Sequence, residues 1–256
     1  MSAVLAAKGI SVQFGGLKAV DEVDLEVHDG KLVGLIGPNG AGKTTFIDAI
    51  SGFVPYRGRV QLDGQGLDGL SATARARRGL ARTWQSIELF DDLTVAENLA
   101  VASHRPSTWA TVKEVLSRPV GSTDAVEQAL TLLGLEARVN EMPSDLSQGQ
   151  RKLVGVARAL AAQPRLVCLD EPAAGLDSRE SEDLGRRLKE VARAGQAMLL
   201  VDHDMGLVLG ISDHVVVLEF GKVIAHGPPE VVRRDHRVIE AYLGSAAAEL
   251  EEAVEG

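Results

Sequence analysis

One glycine-rich segment constrains this chain more than any other feature. It reads Gly37-Pro38-Asn39-Gly40-Ala41-Gly42-Lys43-Thr44 and fits the pattern G-x-x-x-x-G-K-[ST]. The apolar run Lys31 to Ile36 before it predicts a strand, and Thr44 to Ile50 after it predicts a helix that Gly52 caps. A glycine-rich loop between a strand and a helix lets backbone N–H groups converge on phosphate oxygens. The segment therefore predicts a phosphate-binding loop in an α/β fold, against the alternative of an ordinary glycine-rich turn.

Two carboxylates follow another apolar run. Leu166-Val167-Cys168-Leu169 predicts a buried strand, and Asp170 and Glu171 come directly after it. Ligands bind at the carboxyl ends of parallel strands in α/β sheets. Asp170 suits the oxygen shell of Mg²⁺, and Glu171 suits the polarisation of a water molecule. Alone the pair could be a surface feature, but beside a phosphate-binding loop it predicts a site for phosphoryl transfer.

The rest of the chain alternates between strand-like and helix-like segments, as expected for a parallel sheet covered by helices. From about Leu93 to Asn140 the pattern is helical without a convincing strand, which predicts a helical lobe inserted into the core. Residues 245–256 carry four Glu and no basic residue, which predicts a solvated tail. The other predicted strands are Val23–Val27, Val60–Leu62, Leu80–Trp84, Arg165–Leu169, Ala197–Val201 and Val215–Leu218, and the main predicted helices are Ser147–Ala162 and Ser178–Ala194.

The composition of the chain disfavours several other classes of protein. Its net charge of −9 argues against a general nucleic-acid binder, which needs a basic face. The single cysteine, Cys168, rules out an intramolecular disulfide and suits a small buried residue. No apolar run approaches the roughly 18–20 residues that span a bilayer, and the N-terminus lacks the basic and apolar regions of a secretory signal. The sequence therefore predicts a soluble, cytoplasmic chain.

A third motif connects these signals to a known family. Leu146-Ser147-Gln148-Gly149-Gln150 lies about one helix before the predicted strand that ends at the two carboxylates. Ser147 is a favourable helix N-cap, and its helix N-terminus could equally meet a phosphate. The motif resembles the Leu-Ser-x-Gly-Gln signature of ATP-binding cassette (ABC) ATPases, although Gln148 stands where many members have glycine. The resemblance implies that Ser147, Gln148, Gly149 and Gln150 complete the ATP site of a partner cassette.

Further motifs of the family occur in the expected order. Gln85 matches the Q-loop glutamine, which senses Mg²⁺ and the γ-phosphate, and Asp177 matches the D-loop aspartate. His203 matches the switch histidine that contacts the γ-phosphate. Phe14 stands where the family stacks an aromatic ring on adenine, and Val20 would flank that ring. A place in the core is the alternative for Phe14.

The resemblance covers nearly the whole chain. It implies an α/β P-loop NTPase (ABC ATPase) core with a parallel sheet, an N-terminal antiparallel β subdomain and an inserted helical subdomain. The ABC ATPase domain is expected at residues 1–244, with the helical subdomain at about 91–163. ATP and Mg²⁺ are the implied ligands. The implied catalytic residues are Glu171, His203 and Gln85, the Mg²⁺ ligands are Thr44, Gln85 and Asp170, and the ATP-binding residues are Phe14, Val20, Gly37, Pro38, Asn39, Gly40, Ala41, Gly42, Lys43, Thr44 and Thr45.

Several segments resemble a narrower branch, the LivG-type ATPases of branched-chain amino acid importers. They include Phe14 to Val20, Gly79 to Gln85, Leu93 to Asn98 and Val238 to Gly244. This branch implies import of a small solute, powered by ATP hydrolysis. The ATPase of the lipopolysaccharide exporter is similar and stands as the alternative. A soluble ABC protein outside transport ranks lower, because the chain has one cassette and no coiled-coil insertion.

The resemblance also implies partners and a location. Two cassettes would enclose two ATP molecules head to tail, and the second cassette would be another copy or a LivF-like subunit. Transmembrane permease subunits would dock near the Q-loop, a solute-binding protein would act indirectly, and nucleic acid is not an expected partner. The chain would lie in the cytoplasm, peripheral on the inner face of the membrane. The apolar side chains Ile87, Leu89, Phe90 and Leu93 would form either a docking groove or part of the packing of the lobe.

Overall fold

The computed structural model describes residues 3–84, 89–103 and 124–243, which form two β-sheets with helices packed on them. Within these ranges no helix is both long enough and apolar enough to cross a membrane. The predicted acidic tail, residues 245–256, lies outside the described residues, as do residues 104–123, which fall within the predicted helical lobe.

The N-terminal sheet is antiparallel and has four strands in the order β2-β1-β4-β5. Its first two strands form a hairpin that turns at Gly15 and Gly16, so that Phe14 pairs with Leu17. This sheet confirms the expected antiparallel subdomain. Its strands are β1 Leu5–Phe14, β2 Leu17–Val27, β4 Arg57–Leu62 and β5 Gln65–Gly66.

Strand β2 begins at Leu17, earlier than the predicted start at Val23. The register between β1 and β2 shifts near Ile10, and Glu22 has a φ of 54°. Such a bulge interrupts the alternation of buried and exposed side chains. A search for period-two patterning therefore detects only the regular second half of the strand.

The second sheet has six strands in the order β10-β9-β3-β8-β7-β6. Its strands pair in parallel except for β10, which pairs antiparallel with β9 at one edge. The predicted parallel sheet is confirmed, and the predicted strand bounds differ from the observed ones by a residue or two. The strands are β3 Leu32–Ile36, β6 Leu80–Thr83, β7 Leu166–Asp170, β8 Ala197–Val201, β9 His214–Glu219 and β10 Lys222–Gly227.

Helices cover both faces of this sheet. The first begins directly after the glycine-rich loop, and Gly52 caps it in the left-handed conformation, as predicted. The helices are α1 Lys43–Ser51, α2 Ala72–Arg77, α3 Val95–Ser103, α4 Asp124–Leu133, α5 Gln148–Ala161, α6 Ser178–Arg193, α7 Met205–Ile211 and α8 Pro229–Val232, followed by a helical segment at residues 236–243.

The six-stranded sheet separates two hydrophobic cores. Along β3, Leu32 and Ile36 face one core, and Val33 and Leu35 face the other. The first core includes side chains of α3 to α7, and the second joins α1 to the antiparallel sheet. Each fully buried aliphatic side chain contributes about 1.5–3 kcal/mol, so strands that are buried on both faces hold their carboxyl ends firmly in place.

Candidate functional site

The glycine-rich loop connects β3 to α1 and approaches two other segments closely. A side chain at Gly42 would place a Cβ 2.3 Å from the carbonyl oxygen of Ala19, and one at Gly37 would lie 2.1 Å from that of Leu218. Both glycines have positive φ angles, 100° and 153°. The loop therefore depends on glycine at these positions, and it leads into the N-terminus of α1, where backbone N–H groups favour an anion.

Lys43 is the first residue of α1, and its side chain turns back over the loop. Its Nζ donates hydrogen bonds to the carbonyl oxygens of Gly37 at 2.6 Å and Pro38 at 3.0 Å. Burial lowers the pKa of Lys43, while the negative charges of Glu171, Asp202 and Asp170 oppose that shift. The ammonium group is thus held inside the loop and faces the carboxylates at the ends of β7 and β8.

An open cleft lies over the loop. The β1–β2 hairpin contributes one wall, and Glu171 and Phe220 face it from the ends of two other segments. The cleft brings most of the predicted ATP-binding residues together with one predicted catalytic residue. Its lining residues are Leu17, Lys18, Ala19, Asn39, Gly40, Ala41, Gly42, Lys43, Thr44, Thr45, Glu171 and Phe220.

The two residues predicted to contact adenine occupy different environments. Phe14 is half exposed on the hairpin opposite Leu17, so its ring has a free face. Val20 is completely buried in the core beneath the hairpin. The prediction that the Val20 side chain flanks the base is therefore corrected, because the alternation of β2 directs this residue inward.

Phe220 was not predicted, although it lines the cleft and is 85% exposed. It has a φ of 46° in the turn between β9 and β10. The turn is tied to the site, because the Gly221 N–H donates to the Ala41 carbonyl at 3.0 Å and the Gly221 carbonyl accepts from the Asp21 N–H at 2.8 Å. An aromatic residue directly before a glycine was the only signal in the sequence.

Asp170 ends β7 as predicted, with a nearly buried carboxylate. Its Oδ2 accepts a hydrogen bond from Arg82 Nη2 at 2.7 Å, and Arg82 Nη1 donates to Asp48 Oδ1 at 2.6 Å. Arg82 on β6 belongs to a segment that the sequence analysis matched to the family, but no role was predicted for it. A charged side chain in the middle of a predicted strand was the available signal.

Glu171 lies one residue beyond β7, where the backbone turns sharply. Its φ is 47°, and its N–H donates to the Val201 carbonyl at 2.7 Å, which extends the pairing of β7 with β8. Positive φ angles are uncommon for residues other than glycine and often mark functional positions. The turn brings the Glu171 carboxylate to the cleft, with its Oε2 3.8 Å from Nδ1 of His203.

His203 is well exposed and follows a completely buried carboxylate, Asp202, that was not predicted. Asp202 accepts hydrogen bonds from the N–H groups of Ala173 at 3.1 Å and Asp204 at 3.0 Å, and its Oδ1 lies 3.6 Å from His203 Nδ1. Asp202 thus ties the loop after β8 to the loop after β7. This arrangement brings together His203 and Glu171, two of the residues predicted to be catalytic.

The third predicted catalytic residue and Mg²⁺ ligand, Gln85, lies outside the described residues, as does Ile87. Of the two other predicted ligands, Thr44 is exposed in the cleft and Asp170 is nearly buried behind it. Hydroxyl and carboxylate oxygens are the donors that Mg²⁺ prefers. No cluster of three or more His, Cys, Asp or Glu residues suits a metal within the described parts of the chain. A magnesium ion that shares its shell with phosphate oxygens needs only one or two protein ligands, so the residues present fit this ion.

The predicted signature residues begin α5. Ser147 is the N-cap: its Oγ accepts from the Gln150 N–H at 3.3 Å, and the Gln150 side chain accepts from the Ser147 N–H at 2.9 Å. Gln148 is exposed and Gly149 is buried. The Glu180 Oε1 accepts from Ser147 Oγ at 2.9 Å and from the Gly149 N–H at 3.0 Å. A carboxylate of the same chain therefore lies against the N–H groups at this helix N-terminus.

The signature residues and the glycine-rich loop lie in separate clefts. The second cleft contains Asp177, the N-cap of α6, whose Oδ1 accepts from the Glu180 N–H at 2.8 Å. No residue is shared between the two sets of lining residues. The structure therefore divides the predicted site into two parts. The second cleft is lined by Ser147, Gly149, Gln150, Leu153, Asp177, Arg179, Glu180 and Asp183.

Two protein families match the chain. Residues 20–174 match the ABC transporter family, and residues 222–248 match the branched-chain amino acid ATP-binding cassette transporter family. The first match contains the glycine-rich loop, the signature and the two carboxylates after β7.

Several named proteins are similar over almost their whole length. The high-affinity branched-chain amino acid transport ATP-binding protein LivG of Salmonella typhimurium is 40% identical over 95% of this chain and 98% of its own. BraF of Pseudomonas aeruginosa, which has the corresponding name, is 39% identical over the same shares. The lipopolysaccharide export system ATP-binding protein LptB of Escherichia coli is 35% identical over 94% of this chain and 98% of its own.

Solved structures of ATP-binding cassettes share the fold. A cassette crystallised in its ADP conformation has a TM-score of 0.81 at 29% identity, over 95% of this chain and 100% of its own. A nucleotide-free cassette of an ABC transporter has a TM-score of 0.79 at 29% identity, over 94% and 99%. The fold, the loop and these relatives lead to one conclusion: the chain belongs to the ABC transporter family of ATP-binding proteins, which are ATPases coupled to transport.

Proposed function

We propose that this ABC ATPase powers the import of branched-chain amino acids, or of a chemically related solute, through separate permease subunits. The observation that carries the proposal is the family match at residues 222–248, which is specific to branched-chain amino acid cassettes. The identity to LivG, 40%, also exceeds the 35% identity to LptB. Lipopolysaccharide export is the second candidate, because LptB matches nearly the whole chain as well.

The cleft over the glycine-rich loop would bind the triphosphate of ATP. Backbone N–H groups of the loop and the α1 N-terminus would bind phosphate oxygens. Lys43 would exchange its hydrogen bonds to the Gly37 and Pro38 carbonyls for bonds to the β- and γ-phosphates. Thr44, Asp170 and Gln85 would hold Mg²⁺, which when bound neutralises phosphate charge.

Glu171 and His203 would act on the γ-phosphate. Glu171 would orient the attacking water and accept its proton while the water oxygen bonds to the γ-phosphorus and the bond to the bridging oxygen breaks. ADP leaves with that bridging oxygen, and His203 would hydrogen-bond to the γ-phosphate. The 3.8 Å between Glu171 Oε2 and His203 Nδ1 supports their joint action, and buried Asp202 would position His203.

The separation of the two clefts supports a head-to-tail pair of cassettes. Ser147, Gly149 and Gln150 line a cleft that shares no residue with the cleft over the loop. A second cassette would therefore use these residues, together with Gln148, to complete its own ATP site. That cassette would be another copy or a LivF-like subunit. ATP would stabilise the closed pair because its phosphates contact both chains, and hydrolysis would remove that contact.

An apolar groove supports the site proposed for the permease. Its walls include Phe53, Trp84, Leu89 and Phe90, and three of these side chains are about half exposed. Such patches often mark protein contacts. Through this groove the chain would lie peripherally on the cytoplasmic face of the membrane, where the permeases would connect it to an external solute-binding protein.

Reconstitution tests the proposal. The chain would be purified in complex with its permease subunits and partner cassette and placed in proteoliposomes. ATPase activity would be measured as the cognate solute-binding protein is added, either loaded with leucine or valine or left empty. We expect the loaded binding protein to stimulate hydrolysis and to deliver labelled leucine into the vesicle lumen. Stimulation by lipopolysaccharide instead would support the second candidate.

Glu171→Gln is the matched control. The amide keeps the shape of the side chain and loses the proton acceptor, so ATP binding should persist while turnover falls about 100-fold or more. The variant should accumulate as an ATP-bound dimer in light scattering. Full turnover by the variant would assign the water-activating role to another residue.

A further inference from the structure

Arg82 connects two walls of the phosphate site, and neither the motifs nor the comparisons assign it a role. Its side chain is 6% exposed. One arm of the guanidinium donates to Asp48 on α1, and the other donates to Asp170 at the end of β7. Two carboxylates that belong to different elements therefore share one buried cation.

The same guanidinium lies against a pair of aromatic rings. Its Cζ is 4.3 Å from the centroid of the Trp84 ring and 5.6 Å from that of Phe53. The two rings meet edge to face, with centroids 5.1 Å apart. Both rings are about half exposed and line the apolar groove. Arg82 thus stands between Asp170 inside the molecule and an aromatic pair on its surface.

The charges of this cluster respond to what binds at Asp170. One guanidinium and the two carboxylates sum to −1. Arg82 binds Oδ2 of Asp170, so a divalent cation would bind Oδ1, and its positive charge would weaken the attraction between the carboxylate and the guanidinium. A weaker hold on Asp170 leaves the guanidinium freer to move relative to the Trp84 ring, whose attraction for a cation depends on its position over the ring face. Lysine cannot replace this function, because only the planar fork of arginine binds two carboxylates while it stacks on a ring.

We propose that Arg82 is a positioning residue that orients Asp170 for the metal and transmits the charge at the phosphate site to the Phe53–Trp84 pair. The inference rests on the proposed role of Asp170 as a Mg²⁺ ligand. The proposal implies that the environment of the Trp84 ring changes when Mg²⁺ binds at Asp170.

Tryptophan fluorescence tests the proposal directly. The chain has two tryptophans, Trp84 and Trp109, so Trp109→Phe leaves Trp84 as the sole reporter. This variant would be saturated with ATP in EDTA and then titrated with Mg²⁺, and ATP binding would be followed separately by calorimetry. We expect Mg²⁺ to change the Trp84 emission. When Arg82→Lys is combined with Trp109→Phe, the Mg²⁺-dependent change in Trp84 emission should shrink by more than half. The Mg²⁺ concentration at half-saturation should rise about tenfold, as when a residue that hydrogen-bonds to a metal ligand is lost. The affinity for metal-free ATP should stay the same.

Two further variants isolate the route through Arg82. Gln85→Ala removes the neighbour through which Trp84 could also respond to Mg²⁺. The proposal is supported if the Mg²⁺-dependent change in Trp84 emission persists in Gln85→Ala and is lost in Arg82→Lys. The reverse result overturns it. Arg158→Lys is the matched control, because Arg158 lies 5.8 Å above the Phe90 ring in the same groove; it should leave the Trp84 signal and the Mg²⁺ dependence intact.

The Trp109→Phe variant keeps Arg82, so its fluorescence titration tests the proposal even if Arg82→Lys does not fold. Calorimetric binding of Mg·ATP with an unchanged Trp84 emission would overturn the inference and leave the proposed function intact. Absence of Mg·ATP binding altogether would overturn both.

Discussion

The Ser147 hydroxyl donates a hydrogen bond to the Glu180 carboxylate across 2.9 Å, at the N-terminus of the signature helix. The same carboxylate oxygen accepts from the Gly149 N–H. Under the proposed function, a phosphate oxygen of the partner's ATP would need these two donors. Under that proposal Glu180 takes the place of the phosphate oxygen in the free chain, and it would have to be displaced when two cassettes close.

Glu180→Ala should favour closure. In a Glu171→Gln background, which prevents turnover, we expect the ATP-dependent dimer to form at about twofold to fivefold lower protein concentration. This range corresponds to the interaction energy of one carboxylate with a helix N-terminus. Dimer formation would be measured by light scattering over a protein dilution series. Glu182→Ala removes an exposed carboxylate from the same helix and should leave dimerisation unchanged. Weaker dimerisation of Glu180→Ala would mean that this side chain supports the signature rather than competes with the phosphate.

Lys43→Ala should lose most ATP binding. The ammonium lies in the glycine-rich loop, and hydrogen bonds to charged groups contribute about 1.5–3 kcal/mol each. We expect about a 10- to 100-fold weaker affinity for ATP in calorimetry. Lys8→Ala, which changes an exposed lysine on the antiparallel sheet, is the control. Equal affinities for the two variants would refute the assignment of the loop.

Two exposed aromatic residues, Phe14 on the β1–β2 hairpin and Phe220 at the cleft, can be distinguished by substitution. If Phe14 stacks on adenine, Phe14→Ala should weaken ATP binding about thirtyfold, the middle of the range for base–aromatic stacking, and Phe14→Tyr should restore it. Phe220 lines the cleft and should show a loss of its own in Phe220→Ala. Comparing ATP with inorganic triphosphate isolates the base, because a stacking loss disappears for triphosphate. A loss for Phe220→Ala alone would move the adenine contact to the β9–β10 turn.

A mixture of two inactive variants tests which chain completes each ATP site. Lys43→Ala damages the loop cleft, and Ser147→Arg damages the signature cleft. In a mixed dimer with sites built from both chains, one site receives both lesions and the other receives none. We therefore expect mixtures that form dimers to recover up to about half of the wild-type ATPase activity per dimer, if the sites work independently.

The control for this mixture carries Ser147→Arg in both chains and Lys43→Ala in one, and it should stay inactive. Cross-linking would establish that mixed dimers are present. Inactive mixed dimers would show either that each chain builds its own site or that both sites must be intact for turnover.

Stability should rise with pH near the ordinary pKa of histidine because of His214. Burial, and secondarily the charge of His226, lowers the pKa of His214, so the unfolded chain binds a proton more readily than the folded one. The free energy of unfolding therefore decreases as the pH falls below about 6.5, where the unfolded chain takes up the proton. Above that pH the destabilisation disappears. We expect Tm to be lower at pH 5.5 than at pH 7.5, and His214→Gln to reduce the difference. His236→Gln changes an exposed histidine and should leave the difference in Tm unchanged. An equal effect of the two variants would mean that His214 is not the source of the pH dependence.

Local signals in the sequence predicted the phosphate-binding loop well, because the strand, loop and helix that form it are adjacent in the chain. The capping of α5 by Ser147 and of α1 by Gly52 followed from the same local chemistry. The bulged start of β2 was missed, since the irregular register disturbs the alternation on which strand prediction depends.

The polar partners of the site could not be predicted in the same way. Arg82 and Asp170 are 88 residues apart, and Ser147 and Glu180 are 33 apart. Only the packing of the sheet and helices brings such pairs together, and a single sequence contains no measure of that distance. For Val20 the family motif predicted a contact with the base that the fold does not provide, because its side chain is buried in the core.

The burial of Cys168 has a practical consequence. Burial raises the pKa of this thiol to about 12, and it is the only cysteine of the chain. A thiol that is protonated and shielded reacts slowly with maleimides and other thiol reagents. Single cysteines can therefore be introduced on the surface of the otherwise natural chain, away from both clefts, for example at Lys8 or Glu182, and labelled selectively with dyes or spin probes. Distances between two cassettes then become measurable in the native protein, and any labelling of Cys168 itself would report that the central sheet has opened.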